Sequence, residues 1–294
     1  MHKKLCLGTV QLGQYYGINN ALGRKPDLKE SFRLLEKAIN LGINFFDTAS
    51  VYGDSEKILG DFGINRFQVK IISKLRPNLS SDSNLVLQEI QTSLKNLKLN
   101  SLEGYLFHDA EDFYKPELLR GLKLVKEKGL SKNIGVSIYE PEDAINVVKD
   151  KDIDIIQIPY NVLDQRLDDT NFFEIAEKNN VTVFARSSFL QGLLLMAREK
   201  IPPNLKDAWS YIETFQNISR RYKFTLSEAA LLFSYCHKKI DHVLFGVETI
   251  EQLELNLKIL DKASQFADCY EELSGKFKNV DRKIIVPSLW SKRK

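Results

Sequence analysis

FDTASVYG, residues 46–53, is the segment from which the architecture of this chain can be worked out. In this segment a short apolar strand is followed directly by a loop, and the segment carries a carboxylate and a phenol. Asn44–Phe46 follows a segment of helical periodicity, Leu28–Asn40, and is typical of a buried strand. Asp47 then stands at the carboxyl end of this strand, five residues before Tyr52. Since a buried carboxylate is costly unless it is paired, we expect a cationic partner nearby.

Two further strands end in polar side chains that complement this carboxylate. Lys70–Ser73 is followed by Lys74, and Gly104–Phe107 is followed by His108. Side chains at the carboxyl ends of parallel strands in an α/β barrel line the same mouth. The sequence therefore predicts that both side chains converge on Asp47 and on the phenol that follows it, and that the four groups form a catalytic site.

The whole chain alternates strand and helix. Apolar runs bounded by turn or charged residues predict strands at Leu5–Gly8, Asn44–Phe46, Lys70–Ser73, Gly104–Phe107, Ile134–Val136, Ile155–Ile158, Thr182–Ala185 and Val243–Phe245. Segments of helical period lie between and after them, at Leu28–Asn40, Ser55–Phe62, Asn84–Leu97, Pro116–Lys128, Pro141–Lys149, Asn171–Lys178, Leu226–His237 and Ile250–Leu260. Eight such units predict the α/β class and a closed (β/α)8 TIM barrel.

A doubly wound open sheet is the alternative for alternating strands and helices. It would carry a G-x-G-x-x-G phosphate turn after its first strand, and the segment Gly8–Gly13 lacks that spacing. We interpret Pro202–Arg221 as an insertion between the seventh strand and its helix. A final helix is predicted near Ser264–Lys276. Both segments are expected to cover faces of the barrel.

Length and composition fit one enzyme domain spanning residues 1–294. Such barrels often reach about 250 residues. The net charge of +3, from 42 basic against 39 acidic residues, does not indicate a nucleic-acid partner. The locally basic segment Lys276–Lys294 is expected to be a solvated tail. Three separated cysteines favour a reducing compartment. No signal peptide, membrane span or metal site is predicted, so we expect a cytoplasmic protein.

Taken together, these motifs resemble those of the aldo-keto reductases. The matching segments are D-T-A-x-x-Y-G starting at Asp47, I-S-K ending at Lys74 and L-F-H ending at His108. The similarity extends from Leu7 to Asn256. Each motif is short enough to occur by chance, but four matching residue types in order at strand ends are specific. The resemblance implies an NAD(P)-dependent oxidoreductase.

Each of the four residue types has a task in carbonyl reduction, for which a nicotinamide supplies only the hydride. Tyr52 is assigned as the proton donor. A free tyrosine has a pKa of about 10, and the ammonium of Lys74 is expected to lower the pKa of Tyr52. Asp47 would keep Lys74 charged and in place, and His108 would donate a hydrogen bond to the carbonyl oxygen. Taken alone, each residue could be a packing residue, a capping residue or an exposed surface residue. Their occurrence together favours catalysis.

The resemblance also implies a cofactor site. Ser137 and Gln157 match the residues that bind the nicotinamide carboxamide, but the asparagine beside the serine is replaced by Ile138. Arg186 replaces the aromatic residue on which the nicotinamide stacks, so it either takes a different pose or serves an anionic ligand group. The further positions assigned to the cofactor are Gly8, Thr9, Asp47, Ser187, Leu190, Gly192, Gly246, Glu248, Gln252 and Asn256.

Two loops match the rest of the nucleotide. Backbone amides of Leu190–Leu193 are expected to receive the pyrophosphate, and Gln252 and Asn256 to face adenine. Many family members keep Lys or Arg in the last barrel loop for the 2′-phosphate of NADP, whereas this chain has Glu248. A carboxylate repels phosphate and can accept a ribose hydroxyl, so the resemblance favours NAD over NADP. Alternatively, Glu248 is only a favourable charge at a helix start.

Two functions remain open. The first is an enzyme acting on a small aldehyde, ketone or sugar, as a monomer or small homo-oligomer without a nucleic-acid or membrane partner. The second is a nucleotide-binding regulatory protein with little or no turnover, resembling the reductase-like β subunits of potassium channels. The intact tetrad favours the enzyme, and Ile138 and Arg186 keep the alternative open. Residues expected near the mouth, which would suit a carbohydrate, are Gln11, Tyr15, Tyr16, Asn161 and Arg166.

Overall fold

A computed structural model describes residues 4–290 of the chain. Parallel strands close into an eight-stranded barrel in which each strand pairs with the next and the last pairs with the first. The strands are β1 Leu5–Gly8, β2 Phe45–Asp47, β3 Lys70–Leu75, β4 Leu102–Phe107, β5 Ser131–Ser137, β6 Ile155–Pro159, β7 Thr182–Arg186 and β8 His242–Gly246. The predicted (β/α)8 barrel is confirmed.

Helices surround this barrel. The α-helices described are Val10–Gly13, Leu28–Asn40, Ser55–Phe62, Ser83–Leu97, Ala110–Phe113, Pro116–Glu127, Pro141–Val147, Phe172–Lys178, Ala208–Arg221, Leu226–Cys236, Ile250–Ile259, Ala267–Leu273 and Arg282–Ile285. The 3₁₀ segments are Ile64–Arg66, Leu190–Leu195, Arg198–Lys200, Pro203–Leu205, Leu260–Gln265 and Pro287–Leu289. The eight helices predicted between and after the strands start within one residue of their predicted positions. Several begin at a side-chain cap: Asp27 accepts a hydrogen bond from the Glu30 amide, and Thr225 from the Glu228 amide.

The barrel interior is filled by side chains. One buried cluster takes a single residue from each of seven strands, and these are Cys6, Phe45, Ile72, Leu106, Ile155, Phe184 and Leu244. Leu5 and Leu7, which flank Cys6 along β1, belong instead to the larger cluster between the strands and the helices. This alternation is the two-residue period of a strand that is buried on both faces. The barrel is therefore a packed core, and only its mouth is available for a ligand.

Six of the eight strands end one or two residues later than predicted, which places two functional residues inside the sheet. Asp47 is the last residue of β2, and Lys74 lies within β3. β5 begins at Ser131 rather than Ile134, because its polar first residues pair with β4 in register Leu102 to Ser131. Backbone pairing of this kind leaves no hydrophobic signal in the sequence.

Two predicted outer segments have helical structure. The interpreted insertion contains the helix Ala208–Arg221, which packs against Leu226–Cys236 and Ala267–Leu273. The predicted last helix is divided, because the 3₁₀ segment Leu260–Gln265 precedes the α-helix Ala267–Leu273. Within residues 4–290, no helix has the length and apolar character needed to cross a bilayer.

The prediction of a solvated tail from Lys276 is wrong for the apolar part of that segment. Ile284, Ile285 and Val286 are buried, and the Trp290 indole donates a hydrogen bond to the Ile284 carbonyl at 3.1 Å. Arg282 also pairs with Glu140. Apolar burial thus attaches this basic segment to the barrel, while its last residues, 291–294, lie outside the described part of the chain.

Candidate active site

A cavity of about 830 Å³ opens at the carboxyl ends of the strands. Its wall includes the end of β1 at Gly8, the end of β2 at Asp47 and the end of β8 at Gly246. This is the face on which α/β barrels carry their functional groups. The volume lies within the usual range for ligand pockets, roughly 300–1,000 Å³.

An ion pair between Asp47 and Lys74 lies at the floor of this cavity. Lys74 Nζ is 2.8 Å from Asp47 Oδ1 and 2.7 Å from Oδ2, and it also donates to the Thr48 carbonyl at 2.9 Å. The side-chain amide of Gln157 donates to the same carboxylate from across the barrel. Asp47 and Lys74 are only 2% and 1% exposed. The predicted cationic partner is therefore present, and the buried charges compensate each other.

Tyr52 is positioned by a close backbone contact between two loops. A Cβ at Gly13 would lie 1.8 Å from the Tyr52 carbonyl oxygen, and a Cβ at Gly53 would lie 2.4 Å from the Gly13 carbonyl oxygen. Gly53 also has a positive φ of 55°. Only glycine permits this approach and this backbone conformation. The contact fixes the loop after β2 against the first turn after β1.

The four predicted catalytic side chains come together at the cavity floor. Tyr52 Oη lies 3.5 Å from Lys74 Nζ, at the outer limit of a hydrogen bond. The same Nζ is 4.9 Å from the centre of the Tyr52 ring. The His108 ring meets the Tyr52 ring edge to face, with centroids 5.5 Å apart and an angle of 81°. A small group bound between the Tyr52 hydroxyl and the His108 ring could therefore contact both.

Burial controls the protonation of Tyr52. Burial raises the pKa of Tyr52 above its ordinary value, the charge of Asp47 raises it further, and Arg186 lowers it. The net shift of the Tyr52 pKa is therefore upward rather than downward as the sequence predicted, because burial and the charge of Asp47 outweigh the effect of the Lys74 ammonium. The Lys74 charge is compensated by Asp47, and the phenol is removed from water. Tyr52 therefore keeps its proton at neutral pH, which is the form that can donate it.

His108 is neutral at neutral pH. Burial lowers the pKa of His108 from 6.5 to about 3, and the cations Lys74 and Arg186 lower it in the same direction. A neutral imidazole has one N–H donor and one acceptor nitrogen. Nδ1 of His108 is buried and has no hydrogen-bond partner among residues 4–290. His108 can therefore donate a hydrogen bond but is a poor source of a proton.

The Arg186 guanidinium is held by residues that follow β5. Its guanidinium lies over the Tyr139 ring at 4.1 Å from the centroid, and its Nη2 donates to the Ile138 carbonyl at 2.8 Å. Arg186 Nη1 is 3.4 Å from Ser187 Oγ. Tyr139 lines the cavity and was not among the predicted site residues. Its place just after β5 is the signal that could have identified it.

Buried amide oxygens in the cavity wall suit a nicotinamide carboxamide. Oε1 of Gln157 and Oε1 of Gln11 are buried without a partner in the part of the chain that the structure describes. Both residues line the cavity, as does Ser137. Buried polar atoms are normally hydrogen-bonded, so these oxygens mark places for a ligand donor. The residues present therefore fit the carboxamide group, although Ile138 supplies no side-chain partner for it.

The loop after β7 has an unusual backbone. Ser187, Leu190 and Gln191 have positive φ values of 66°, 48° and 53°, and Gly192 has 91°. Such left-handed residues cluster at ligand clamps. The amides of Leu190 and Gly192 donate to the carbonyls of Ser187 and Phe189, at 2.8 Å and 2.9 Å. These two amides are already used within the loop, so the structure does not support their predicted contact with the pyrophosphate, and Leu190 does not line the cavity.

At the far end of the cavity, Glu248 and Gln252 bond to each other. The Gln252 side chain donates to Glu248 Oε2 at 2.8 Å and accepts from the Glu248 amide at 2.7 Å. Burial raises the pKa of the Glu248 carboxyl. The helix Ile250–Ile259 is capped by the Thr249 hydroxyl rather than by Glu248. Glu248, Gln252 and Asn256 all line the cavity.

Thr9 acts behind the cavity wall. Its hydroxyl donates to the Asp47 carbonyl at 2.9 Å and shares a hydrogen bond of 2.6 Å with Ser55 Oγ. Thr9 is fully buried and does not line the cavity, so it connects the ends of β1 and β2 and has no direct contact with a ligand there.

Of the five residues expected at the mouth, Gln11 and Tyr16 line the cavity. Tyr15 is exposed outside it. Asn161 and Arg166 lie outside the lining because their polar groups serve the loop after β6. Asn161 Oδ1 accepts from the Leu163 and Asp164 amides, and Arg166 pairs with Asp164. Lining residues that the sequence did not identify include Asn19 and Asn20.

The sequence model of the Aldo/keto reductase family matches residues 4–271, and the chain belongs to this family. It is an NAD(P)-dependent oxidoreductase. The chain is 27% identical over 293 residues to L-galactose dehydrogenase of Arabidopsis thaliana, covering 91% of this chain and 87% of that protein. It is 25% identical over 302 residues to a probable voltage-gated potassium channel subunit beta of Oryza sativa subsp. japonica, with 88% and 91% covered. The solved aldo-keto reductase AKR11C1 from Bacillus halodurans, in its holo form, has the same fold, with a TM-score of 0.77, 19% identity and coverage of 96% and 95%.

Proposed function

We propose that this protein reduces the carbonyl of a small aldehyde, ketone or sugar, or oxidises the corresponding alcohol, with Tyr52 as general acid and base. The observation that carries the proposal is the position of Tyr52 Oη, 3.5 Å from an ammonium that is itself held by Asp47. The hydroxyl lines the cavity wall beside a neutral His108. A protonated phenol beside a fixed cation is a suitable acid for an oxygen that is gaining charge.

The residues divide the work of carbonyl reduction. A bound nicotinamide supplies the hydride to the carbonyl carbon. His108 donates a hydrogen bond to the carbonyl oxygen and orients it. Tyr52 transfers its proton to that oxygen. Lys74 stabilises the phenolate that Tyr52 leaves behind, and Asp47 keeps the ammonium charged and in place. In the oxidative direction the same phenolate accepts the proton of the alcohol.

The cofactor would lie along the cavity from β5 and β6 to the loop after β8. Ser137 and Gln157 would hold the carboxamide. The buried amide oxygen of Gln157 would accept a hydrogen bond from it. Glu248 would face the adenosine ribose, and its carboxylate favours NAD over NADP because it repels a 2′-phosphate. Gln252 orients that carboxylate through its 2.8 Å hydrogen bond.

A hydroxylated substrate suits this cavity. Its wall carries the polar side chains of Gln11, Tyr16, Asn19 and Asn20. The similarity to an L-galactose dehydrogenase also supports a sugar as the substrate. We further infer that residues 1–294 act as one barrel domain, in the cytoplasm, as a monomer or small homo-oligomer.

Cofactor titration followed by turnover tests the proposal. The purified protein is titrated into NADH and into NADPH while nicotinamide fluorescence is followed, and a panel of aldehydes, ketones and sugars is then assayed with the preferred cofactor. We expect tighter binding of NADH and turnover of at least one panel member. The Tyr52→Phe variant should bind the cofactor like wild type and lose turnover. Equal turnover by that variant would contradict the assignment of Tyr52.

A regulatory role is the second candidate. The replacement of the stacking aromatic residue by Arg186 favours it, as does the similarity to a potassium channel subunit. The same titration separates the two functions. A regulatory protein would bind the nucleotide tightly and turn over no panel member, and Tyr52→Phe would then have no kinetic effect to measure.

A further inference from the structure

Arg186 is a partly buried cation without a carboxylate partner. Among residues 4–290, its side chain bonds to the Ile138 carbonyl and approaches Ser187 Oγ, but it forms no ion pair with Asp or Glu. The neighbouring Arg166 differs, because it pairs with both Asp164 and Glu140. A cation held away from water without an anion is unfavourable. The charge of Arg186 is therefore available for an anion that is not part of the chain.

The guanidinium is fixed at the same cavity wall as the catalytic groups. Arg186, Tyr52 and His108 all line this cavity. Stacking on Tyr139 at 4.1 Å and the 2.8 Å bond to the Ile138 carbonyl hold the guanidinium plane in one orientation. Such preorganisation reduces the entropy lost when a ligand binds. The charge is close enough to lower the pKa of both Tyr52 and His108.

We propose that Arg186 binds an anionic group of the substrate, a carboxylate or a phosphate, while the carbonyl of the same molecule lies between Tyr52 and His108. This inference rests on the proposed function and narrows its substrate to carbonyl compounds that carry a negative charge. Arginine is suited to the task because its planar, permanently charged fork matches carboxylate and phosphate oxygens. The Tyr139 ring and the Ile138 carbonyl have a positioning role, since they hold the guanidinium.

Matched substrate pairs test the proposal. Succinic semialdehyde and butanal differ in a carboxylate, and glyceraldehyde 3-phosphate and glyceraldehyde differ in a phosphate. In wild type, kcat/KM should be higher for the charged member of at least one pair, and that pair identifies the anion. In Arg186→Met, the ratio of kcat/KM between the charged and neutral members should fall roughly 10- to 100-fold, as expected for the loss of a charge-assisted hydrogen bond. Arg186→Lys should retain part of the ratio.

A control and a binding measurement keep the result interpretable. Arg120→Met makes the same change of net charge on the outer helix Pro116–Glu127 and should leave the ratio unchanged. Succinate and inorganic phosphate, which cannot be reduced, are titrated against the protein–NADH complex by thermal shift. Wild type should be stabilised by one of them, and Arg186→Met should not.

The two proposals fail in different ways. If wild type reduces neutral aldehydes, and Arg186→Met lowers kcat/KM equally for charged and neutral members, the function stands and the anion site is refuted. If no carbonyl is reduced, the proposed function fails, and the thermal-shift comparison alone decides whether Arg186 binds an anion. Equal stabilisation of wild type and Arg186→Met by succinate and phosphate, or none in either, refutes the site.

Discussion

Removing the ammonium of Lys74 should cost both stability and rate. In Lys74→Met the hydrocarbon stem is retained, while Asp47 loses a partner that contacts both of its oxygens, at 2.8 Å and 2.7 Å. Both side chains are almost completely buried, so water cannot replace the lost contact. Breaking a buried pair in this way costs about 3–5 kcal/mol. Turnover should fall by ~10²-fold or more, because the phenolate of Tyr52 loses its counter-charge.

The expected change in melting temperature follows from chain length. Unfolding entropy is roughly 2.1 cal/mol/K per residue near 60 °C. For 294 residues the total is about 0.6 kcal/mol/K, so a loss of about 3–5 kcal/mol lowers the melting temperature by about 5–8 °C. Calorimetry and urea denaturation both measure this change. Adding Asp47→Asn to Lys74→Met removes the unpaired charge and should restore about 2 kcal/mol or more.

The double variant is the decisive sample. It should regain stability while remaining as inactive as Lys74→Met, because the ammonium is absent from both. If Lys74→Met, Asp47→Asn is no more stable than Lys74→Met alone, the two side chains do not depend on each other. The reasoning from the buried ion pair is then refuted.

Three further predictions follow from the site. Tyr52→Phe keeps the ring but removes the acid, so turnover should fall ~10²–10⁴-fold at nearly unchanged cofactor affinity; wild-type turnover with hydride transfer limiting would contradict it. Glu248→Arg should invert a preference for NADH through a charge-assisted contact of about 1.5–3 kcal/mol, seen in the dissociation constants and weakened by salt; an unmoved ratio would mean that Glu248 does not face the ribose. In the unfolded chain His108 gains a proton near pH 6.5, whereas in the folded protein its pKa is about 3, so the free energy of unfolding should fall as pH decreases through this interval. His108→Gln should lose less stability between pH 7 and pH 4.5 in urea titrations, and an equal loss would show that His108 is not held neutral.

The fold and the grouping of the four candidate catalytic residues were predictable because both depend on periodicity. Strand ends in a closed parallel barrel meet at one mouth whatever the loops do. Asp47, Lys74 and His108 could therefore be placed together from their positions after apolar runs. The placement of Tyr52 near the other three followed from its spacing of five residues after Asp47. The backbone contact at Gly13 that positions its loop was not visible in the motif.

The rest depends on contacts between distant segments. The pose of Arg186 is set by Tyr139 and the Ile138 carbonyl, which come from another strand. The sign of the pKa shift at Tyr52 depends on burial and on opposing charges, which residue types alone do not give. The apolar residues 284–286 indicated burial within the basic segment, but the net charge of the segment was given more weight.

The contact between Gly13 and the Tyr52 loop separates the positions at the mouth that must be kept together from the positions that can be substituted. A side chain at Gly13 or Gly53 would push the two loops apart and displace Tyr52. Asn19 and Asn20 are not subject to this constraint. A library that diversifies the mouth for new substrates should therefore keep both glycines and vary the two asparagines, so that substrate range evolves without displacing Tyr52.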